Sequence, residues 1–216
     1  MITVEEALST ILSAFNPLPS SRLSVINALG QVIAENITSK INFPSFKNSA
    51  MDGYAINSNS CIKSSSQTPT ILSVIGTVGA GQIPKKNVSL TTAIRIMTGA
   101  PIPNGADAVV PFENTNETEL LSKNLPLTKI KIFEKADAGQ YIRSVGEDIS
   151  SGQLIVSKGT VITPPIVGLL SSIGVKSISV TKKPIVAIIS TGSELIELGS
   201  NLSESKIYDS NQLAIS

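Results

Sequence analysis

Between residues 44 and 141 the sequence alternates short β-branched runs with clusters of Gly, Pro, Asn and Ser, and this pattern restricts the fold more than any other feature. The runs predicted to be strands are residues 70–78, 92–97, 107–111 and 128–133. Strands of this length, separated by turn residues, are typical of a small β-barrel or sandwich. The polar segments 58–67 and 114–125 lack periodicity, so they are predicted to be surface loops.

The segments on either side of this region have different patterns. Thr3 followed by Glu6 is the pattern of a capping box, and apolar residues recur at helical spacing over residues 4–15, which predicts an amphipathic helix. The elements predicted after Gly146 are a strand over 154–156, a helix over 166–173 and a strand over 175–180.

Residues 185–189 form a continuous β-branched run, which is typical of a buried parallel strand that opens an α/β unit. Roughly thirty residues remain after this run starts, too few to complete a doubly wound α/β domain. We therefore expect the chain to be an N-terminal fragment of a longer protein.

Charge and residue usage exclude several classes of function. The 17 Lys and Arg and 16 Asp and Glu give a net charge of +1, without the positive excess that a nucleic-acid backbone demands. The chain contains no His and one Cys, which excludes thiolate or imidazole zinc sites and Ser-His-Asp or Cys-His catalysis. Any metal ion is therefore expected to have oxygen ligands, as Mg²⁺ does.

The single cysteine, Cys61, cannot form an internal disulfide and is interpreted as a passive residue of a protein in a reducing compartment. Glu5 and Glu6 stand where a signal peptide carries positive charge, and no apolar run approaches the roughly 18 residues of a membrane span. We expect a cytoplasmic protein that binds no membrane.

Two motifs in the β-rich region could carry chemistry. In residues 48–55, Asp52 beside Gly53 is either part of a polar turn or an oxygen ligand or acid/base group. In residues 96–107, Thr98 and Gly99 follow a predicted strand and are stiffened by two prolines. They form either a rigid turn or an anion-binding arrangement of hydroxyl and backbone N–H groups.

Two further motifs follow this region. Arg143 precedes Glu147 and Asp148, and it could bind phosphate or simply pair with these carboxylates. Residues 190–195 come directly after the run 185–189. Hydroxyl and amide groups at the carboxyl end of such a strand suit phosphate or a polar ring.

These four motifs, in this order and at these separations, resemble the molybdopterin molybdenumtransferases, the family of bacterial MoeA and the gephyrin E domain. The resemblance covers essentially the whole chain, and its closing motif is residues 207–211. It implies an enzyme of molybdenum cofactor biosynthesis that inserts molybdate into adenylylated molybdopterin with Mg²⁺ and releases AMP. It also implies a homodimer, and it suggests molybdopterin adenylyltransferase or apo-molybdoenzymes as partners.

The resemblance implies a mixed α/β, multidomain architecture. Residues 1–46 and 142–181 would form a discontinuous α+β domain for dimerisation, and residues 47–141 would be an inserted β-rich, barrel-like domain. Residues 182–216 would be the start of a truncated MogA-like α/β domain that binds molybdopterin.

The same resemblance assigns site residues. Asp52, Thr98 and Glu194 are the expected catalytic residues, and Asp52 and Glu194 are also the expected metal ligands. The expected substrate-binding residues are Gly99, Arg143, Thr191, Gly192, Ser193, Asp209 and Asn211. Three alternatives remain: a dimeric scaffold that holds peptides, as gephyrin does, an inactive fragment of the enzyme, and a β-rich domain without a site.

Overall fold

A computed structural model describes residues 2–216. The helices of this part of the chain are α1 (Val4–Ser13), α2 (Glu117–Ser122), α3 (Pro164–Ser172) and α4 (Ser210–Ile215). Short 3-10 turns span Val25–Ala28, Ser58–Cys61 and Phe112–Asn114. The strands are β1 (Ser20–Ser24), β2 (Ile37–Thr38), β3 (Asn48–Ser49), β4 (Gly53–Ile56), β5 (Thr70–Val78), β6 (Thr92–Ile96), β7 (Ala108–Pro111), β8 (Lys129–Ile132), β9 (Ile142–Arg143), β10 (Leu154–Val156), β11 (Ser177–Thr181), β12 (Leu195–Ile196) and β13 (Ile207–Tyr208).

The largest sheet has five strands in the order β7-β4-β6-β5-β8. Strand β4 lies between β7 and β6 and is antiparallel to both, whereas β5 runs parallel to β6 and antiparallel to β8. Strands β5 to β8 confirm the four predicted strands to within a residue at each end. The predicted barrel-like domain is confirmed in part, because the sheet curls into a half-barrel and leaves β7 and β8 as its two edges within the described residues.

Both faces of this sheet are buried along β4, because buried residues fill consecutive positions of that strand. On β4, Tyr54 and Ile56 pack into one hydrophobic cluster, and Ala55 packs into the cluster on the opposite face. Since side chains alternate between faces along a strand, such a strand reads as a continuous apolar run. Cys61 is buried in the first of these clusters, which agrees with its predicted passive role.

A second core lies outside this sheet and joins distant parts of the sequence. Strand β1 pairs with β11, and β2 pairs with β10. Helix α3 confirms the helix predicted over 166–173. It contributes the buried Leu170 to this core, and its residues Ile166, Val167 and Leu169 pack against the core. Residues from 25–37 and from 149–180 therefore share one hydrophobic cluster.

Helix α1 begins with the predicted capping box: Thr3 Oγ1 accepts a hydrogen bond from Glu6 N at 3.1 Å, and Glu6 Oε2 accepts one from Thr3 N at 2.9 Å. None of its residues is buried. No helix within residues 2–216 is both long enough and apolar enough to span a bilayer.

Two local predictions were wrong. Residues 185–189 form no strand, and Ile185, Val186 and Ile189 are exposed, because no strand among the described residues pairs with this run. The start of a MogA-like domain is therefore not seen as predicted; the short parallel pair β12–β13 follows instead. The segment 114–125 is not a plain loop, because it contains α2 and the buried residue Glu117.

Candidate functional site

Asp52 and Thr98 meet at one end of the central sheet. Gly53 on β4 is paired with Ile96 on β6, so the residue before β4 and the residues after β6 lie at the same end of these two strands. Asp52 Oδ1 accepts a hydrogen bond from the Thr98 backbone N at 2.7 Å and another from Thr98 Oγ1 at 2.8 Å. The structure thus brings together two predicted site residues that are 46 positions apart.

The backbone around this pair is fixed by close contacts. A Cβ atom on Gly53 would lie 2.0 Å from the carbonyl oxygen of Val110, so only glycine fits between β4 and β7 at this position. Gly99 has a φ of +80°, and its N–H donates to the Ser49 carbonyl oxygen at 2.8 Å. Ser49 Oγ also accepts from Met51 N at 3.2 Å, which shapes the turn that leads to Asp52.

The Asp52 carboxylate is ionised, and only one of its two oxygens accepts hydrogen bonds. Hydrogen bonds from the Thr98 backbone and hydroxyl, and to a smaller extent the charge of Arg95, hold the pKa of Asp52 below its usual value. Its second oxygen, Oδ2, accepts no hydrogen bond from any residue in the range 2–216, and the side chain is exposed. Oδ2 is therefore available to a water molecule, a hard cation or a substrate.

A buried ion pair lies beside this site, and the sequence analysis missed it. Glu117 is 2% exposed, and its carboxylate accepts hydrogen bonds from Arg95 Nε at 3.0 and 3.1 Å and from Arg95 Nη2 at 2.6 Å. Tyr54 OH donates to the same carboxylate at 2.5 Å. The signal that could have found Glu117 was Leu120, which stands three residues later and therefore on the same face of a helix, and which packs against the core of the sheet.

These contacts set the charge of the cluster. Burial raises the pKa of Glu117, but the hydrogen bonds from Arg95 and Tyr54 lower it by a larger amount. The net shift is downward, so Glu117 is ionised. Burial and the bond to Glu117 raise the pKa of Tyr54, which stays protonated. The bond to Glu117 likewise raises the pKa of Arg95. Arg95 and Glu117 therefore form an ion pair whose net charge is zero.

Arg143 is paired with the carboxylates next to it in sequence. Its guanidinium donates to Asp148 through Nη2, and its Nε lies 3.8 Å from Glu147 Oε1. Strand β9, which carries Arg143, pairs with β3, and Ser49 of β3 bonds the backbone of Gly99. Of the two interpretations of Arg143, phosphate binding and pairing with its neighbours, these contacts support pairing. Only strand β3 lies between Arg143 and the Thr98–Gly99 turn.

The remaining predicted residues form a separate group around β12 and β13. Ser190, Gly192, residues 195–198, Asp209, Gln212 and Leu213 line a cavity of about 420 Å³. The carboxylate of Glu194 lies against Gly192, since a Cβ there would be 2.7 Å from both of its oxygens. Asp209 Oδ1 accepts from Gln212 N at 3.1 Å and so caps α4.

Several predicted roles in this group have no contact to support them. The side chains of Thr191 and Asn211 make no hydrogen bond to any residue from 2 to 216, and Ser193 contributes only its carbonyl oxygen, to Lys206 Nζ. No hydrogen bond or ion pair joins Glu194 to Asp52 or Thr98. The structure therefore forms two separate groups of predicted residues. One contains Asp52, Thr98 and Gly99, and the other contains Gly192, Glu194 and Asp209.

The carboxylates of the site supply few of the ligands that a divalent metal ion needs. No group of three or more His, Cys, Asp or Glu side chains within the described chain is arranged to hold an ion. Mg²⁺ commonly binds through one or two carboxylates, waters and substrate phosphates. The exposed Oδ2 of Asp52 fits that mode as a single ligand, and the exposed Glu194 offers a second carboxylate elsewhere on the chain.

Comparison with known proteins places the chain among related sequences. A family model described as the MoeA N-terminal region (domain I and II) matches residues 2–174. Proteins named molybdopterin molybdenumtransferase from Staphylococcus epidermidis and Staphylococcus aureus are 36% and 38% identical over 210 residues. That alignment covers 97% of this chain and 48% of each relative, so the chain spans about half the length of these curated relatives.

The same likeness appears among solved structures. Two structures of a molybdopterin biosynthesis MoeA protein from Pyrococcus horikoshii superpose with TM-scores of 0.88 and 0.80 at 34% sequence identity. Both superpositions include all of this chain, and they include 55% and 53% of the archaeal chains, respectively.

Proposed function

The chain belongs to the MoeA N-terminal family, and on that basis we propose that it acts in molybdenum cofactor biosynthesis, as part of a transferase that inserts molybdate into adenylylated molybdopterin and releases AMP. The observation that carries this proposal is the pair Asp52 and Thr98. It lies within the residues that match the family, at the end of the inner strands β4 and β6, with one carboxylate oxygen hydrogen-bonded and the other available.

The roles follow from what each group can do at this end of the sheet. Thr98 holds Asp52 through two hydrogen bonds, which orients the carboxylate before any substrate arrives. Asp52 Oδ2 can then accept a hydrogen bond from water or substrate. The positive φ of Gly99 lets the chain turn sharply behind Thr98, so the substrate can approach the backbone.

Mg²⁺ is part of the proposal, with Asp52 and Glu194 as expected ligands that belong to two groups not joined by any contact within one chain. When bound, Mg²⁺ would neutralise negative charge on the phosphate groups and molybdate. The residues at positions 190–194 and the cavity of about 420 Å³ beside them are proposed to contact the pterin substrate, with Asp209 at its wall.

We extend the proposal to a homodimer. The apolar residues of α1 and its continuation, Val4, Leu8, Ile11, Leu12 and Phe15, are each more than half exposed. An apolar stripe of this kind is costly in water and favours burial against another surface, for which we propose a second copy. A cytoplasmic location, and contacts with molybdopterin adenylyltransferase or apo-molybdoenzymes, rest on family membership alone.

The test uses a chimaera in which residues 2–174 replace the matching part of the Staphylococcus aureus relative, so that the missing half is supplied by a family member. AMP release from adenylylated molybdopterin is measured after adding molybdate and Mg²⁺. We expect release by the chimaera, and a loss of about 100-fold or more in the Asp52→Asn variant. Asp137→Asn, at an exposed ion pair with Lys135, is the matched control and should retain activity. A folded chimaera without AMP release would contradict the proposal.

A further inference from the structure

The contacts of Arg95 indicate a role for the buried carboxylate next to the site. Glu117 binds one edge of the Arg95 guanidinium, through Nε and Nη2, and Tyr54 donates to the same carboxylate. Glu117 thus has three donors from two side chains, and it needs nothing further to satisfy its charge. The pair is buried on the Glu117 side, whereas 21% of the Arg95 side chain is exposed.

The register of β4 and β6 places Arg95 on the same face as Asp52. Tyr54 is directly opposite Arg95, and Gly53 is opposite Ile96. Because side chains alternate, the next positions on the Tyr54–Arg95 face are Asp52 and Met97. Arg95 Nη1, the nitrogen that does not bond Glu117, contacts Met97 Sδ at 3.3 Å and so points along β6 toward the end where Thr98 meets Asp52.

Asp52 is the other carboxylate within the influence of Arg95. The charge of Arg95 lowers the pKa of Asp52, and the charge of Asp52 opposes ionisation of Glu117. The Oδ2 oxygen of Asp52 has no hydrogen bond within the described residues. An arginine on this face without Glu117 would therefore pair with Asp52 and occupy the oxygen that the site needs.

We propose that Glu117, together with Tyr54, is a positioning residue that holds Arg95 away from Asp52 and so keeps Asp52 Oδ2 available. What uses that oxygen rests on the function proposed above, but the competition between the two carboxylates for one guanidinium does not. The proposal makes an unusual prediction: removing Glu117 alone is more harmful than removing Glu117 and Arg95 together.

The experiment compares Glu117→Gln with the double variant Arg95→Gln/Glu117→Gln, in which two neutral amides of similar size can bond each other. Glu119→Gln is the matched control, because Glu119 lies on the same helix but is exposed and paired with Lys123. NMR of the 216-residue chain follows the Asp52 carboxyl ¹³C and the Arg95 Nε signals. AMP release is measured in the chimaera.

In Glu117→Gln we expect the Arg95 Nε and Asp52 carboxyl signals to shift together as the new pair forms. If about nine molecules in ten adopt that pair, AMP release falls about tenfold. The double variant should return the Asp52 signal to its wild-type position and restore AMP release to within about threefold of the wild type. A merely structural role for Glu117 would not produce this rescue.

Two results would overturn the proposal: a Glu117→Gln variant whose Asp52 signal is unchanged, or a folded double variant that is as slow as the single one. If Glu117→Gln does not fold, the double variant alone tests the proposal, which requires it to fold and to release AMP. If the chimaera releases no AMP at all, the function proposed above fails, and the NMR comparison still tests the positioning of Arg95.

Discussion

Thr98 donates twice to a single oxygen of Asp52, from its backbone N at 2.7 Å and from its hydroxyl at 2.8 Å. The two bonds join the turn before β4 to the turn after β6 and leave the second carboxylate oxygen unbonded. Because one bond comes from the backbone and one from the side chain, a substitution at Thr98 can remove the hydroxyl bond alone.

Replacing Thr98 with valine removes the hydroxyl bond and keeps the backbone bond. Because both residues are exposed, we expect a loss of at most about 1 kcal/mol in the free energy of unfolding. AMP release by the chimaera should fall by about tenfold or more, since Asp52 is then held by one bond. Thr118→Val, an exposed threonine of α2, is the control, and equal losses in the two variants would show that the hydroxyl bond has no special role.

Gly53→Ala should disrupt the sheet itself. The added Cβ would lie 2.0 Å from the Val110 carbonyl oxygen, and this backbone atom cannot move without breaking the β4–β7 pairing. We expect a loss of about 3 kcal/mol in the free energy of unfolding, measured by urea denaturation. Gly76→Ala, on β5 with nothing within 4 Å of the added atom, should change this free energy by no more than about 0.5 kcal/mol.

Tyr54→Phe removes a donor from the buried Glu117 carboxylate. We expect a loss of about 2 kcal/mol in the free energy of unfolding, because the carboxylate oxygen stays buried without that bond. The control is Tyr208→Phe, whose hydroxyl donates to the Ser200 carbonyl oxygen at 2.8 Å on the exposed surface. Thermal denaturation of the two variants should separate them clearly; similar melting temperatures would contradict the argument.

The lowered pKa of Glu117 predicts how stability depends on pH. A carboxyl group whose pKa is lower in the folded state stabilises the protein fully above its unfolded pKa, here near 4.5. That contribution is lost as the pH falls through the lower folded pKa. Urea denaturation between pH 7 and pH 3 should therefore show a steeper acid loss in the wild type than in Arg95→Gln/Glu117→Gln. Parallel curves would mean that Glu117 does not titrate with folding.

The exposed stripe of α1 predicts an effect on assembly without an effect on the fold. Leu12→Glu places a charge on the apolar stripe, whereas Ser9→Glu places one on the polar side of the same helix. We expect Leu12→Glu to convert the proposed dimer to monomer in sedimentation experiments, with unfolding unchanged because Leu12 is 62% exposed. Ser9→Glu should remain dimeric, and dimers in both variants would place the interface elsewhere.

The sequence by itself determined the local elements. The capping box of α1 and strands β5 to β8 appear within a residue or two of their predicted bounds. Their signals are local, because capping needs residues three apart and a strand needs a run of β-branched residues between turn residues. Asp52 and Thr98 were also identified from sequence, through motifs and a family resemblance.

Only the tertiary structure decided which of these residues meet. That Asp52 bonds Thr98 depends on β4 pairing with β6, and pairing is a choice among strands distant in the sequence. Glu117 lies in a segment that reads as polar, and its role appears only because Arg95 and Tyr54 reach it from the sheet. Residues 185–189 have the composition of a buried strand, yet none of them is buried, because a strand exists only where a partner supplies the other half of its hydrogen bonds.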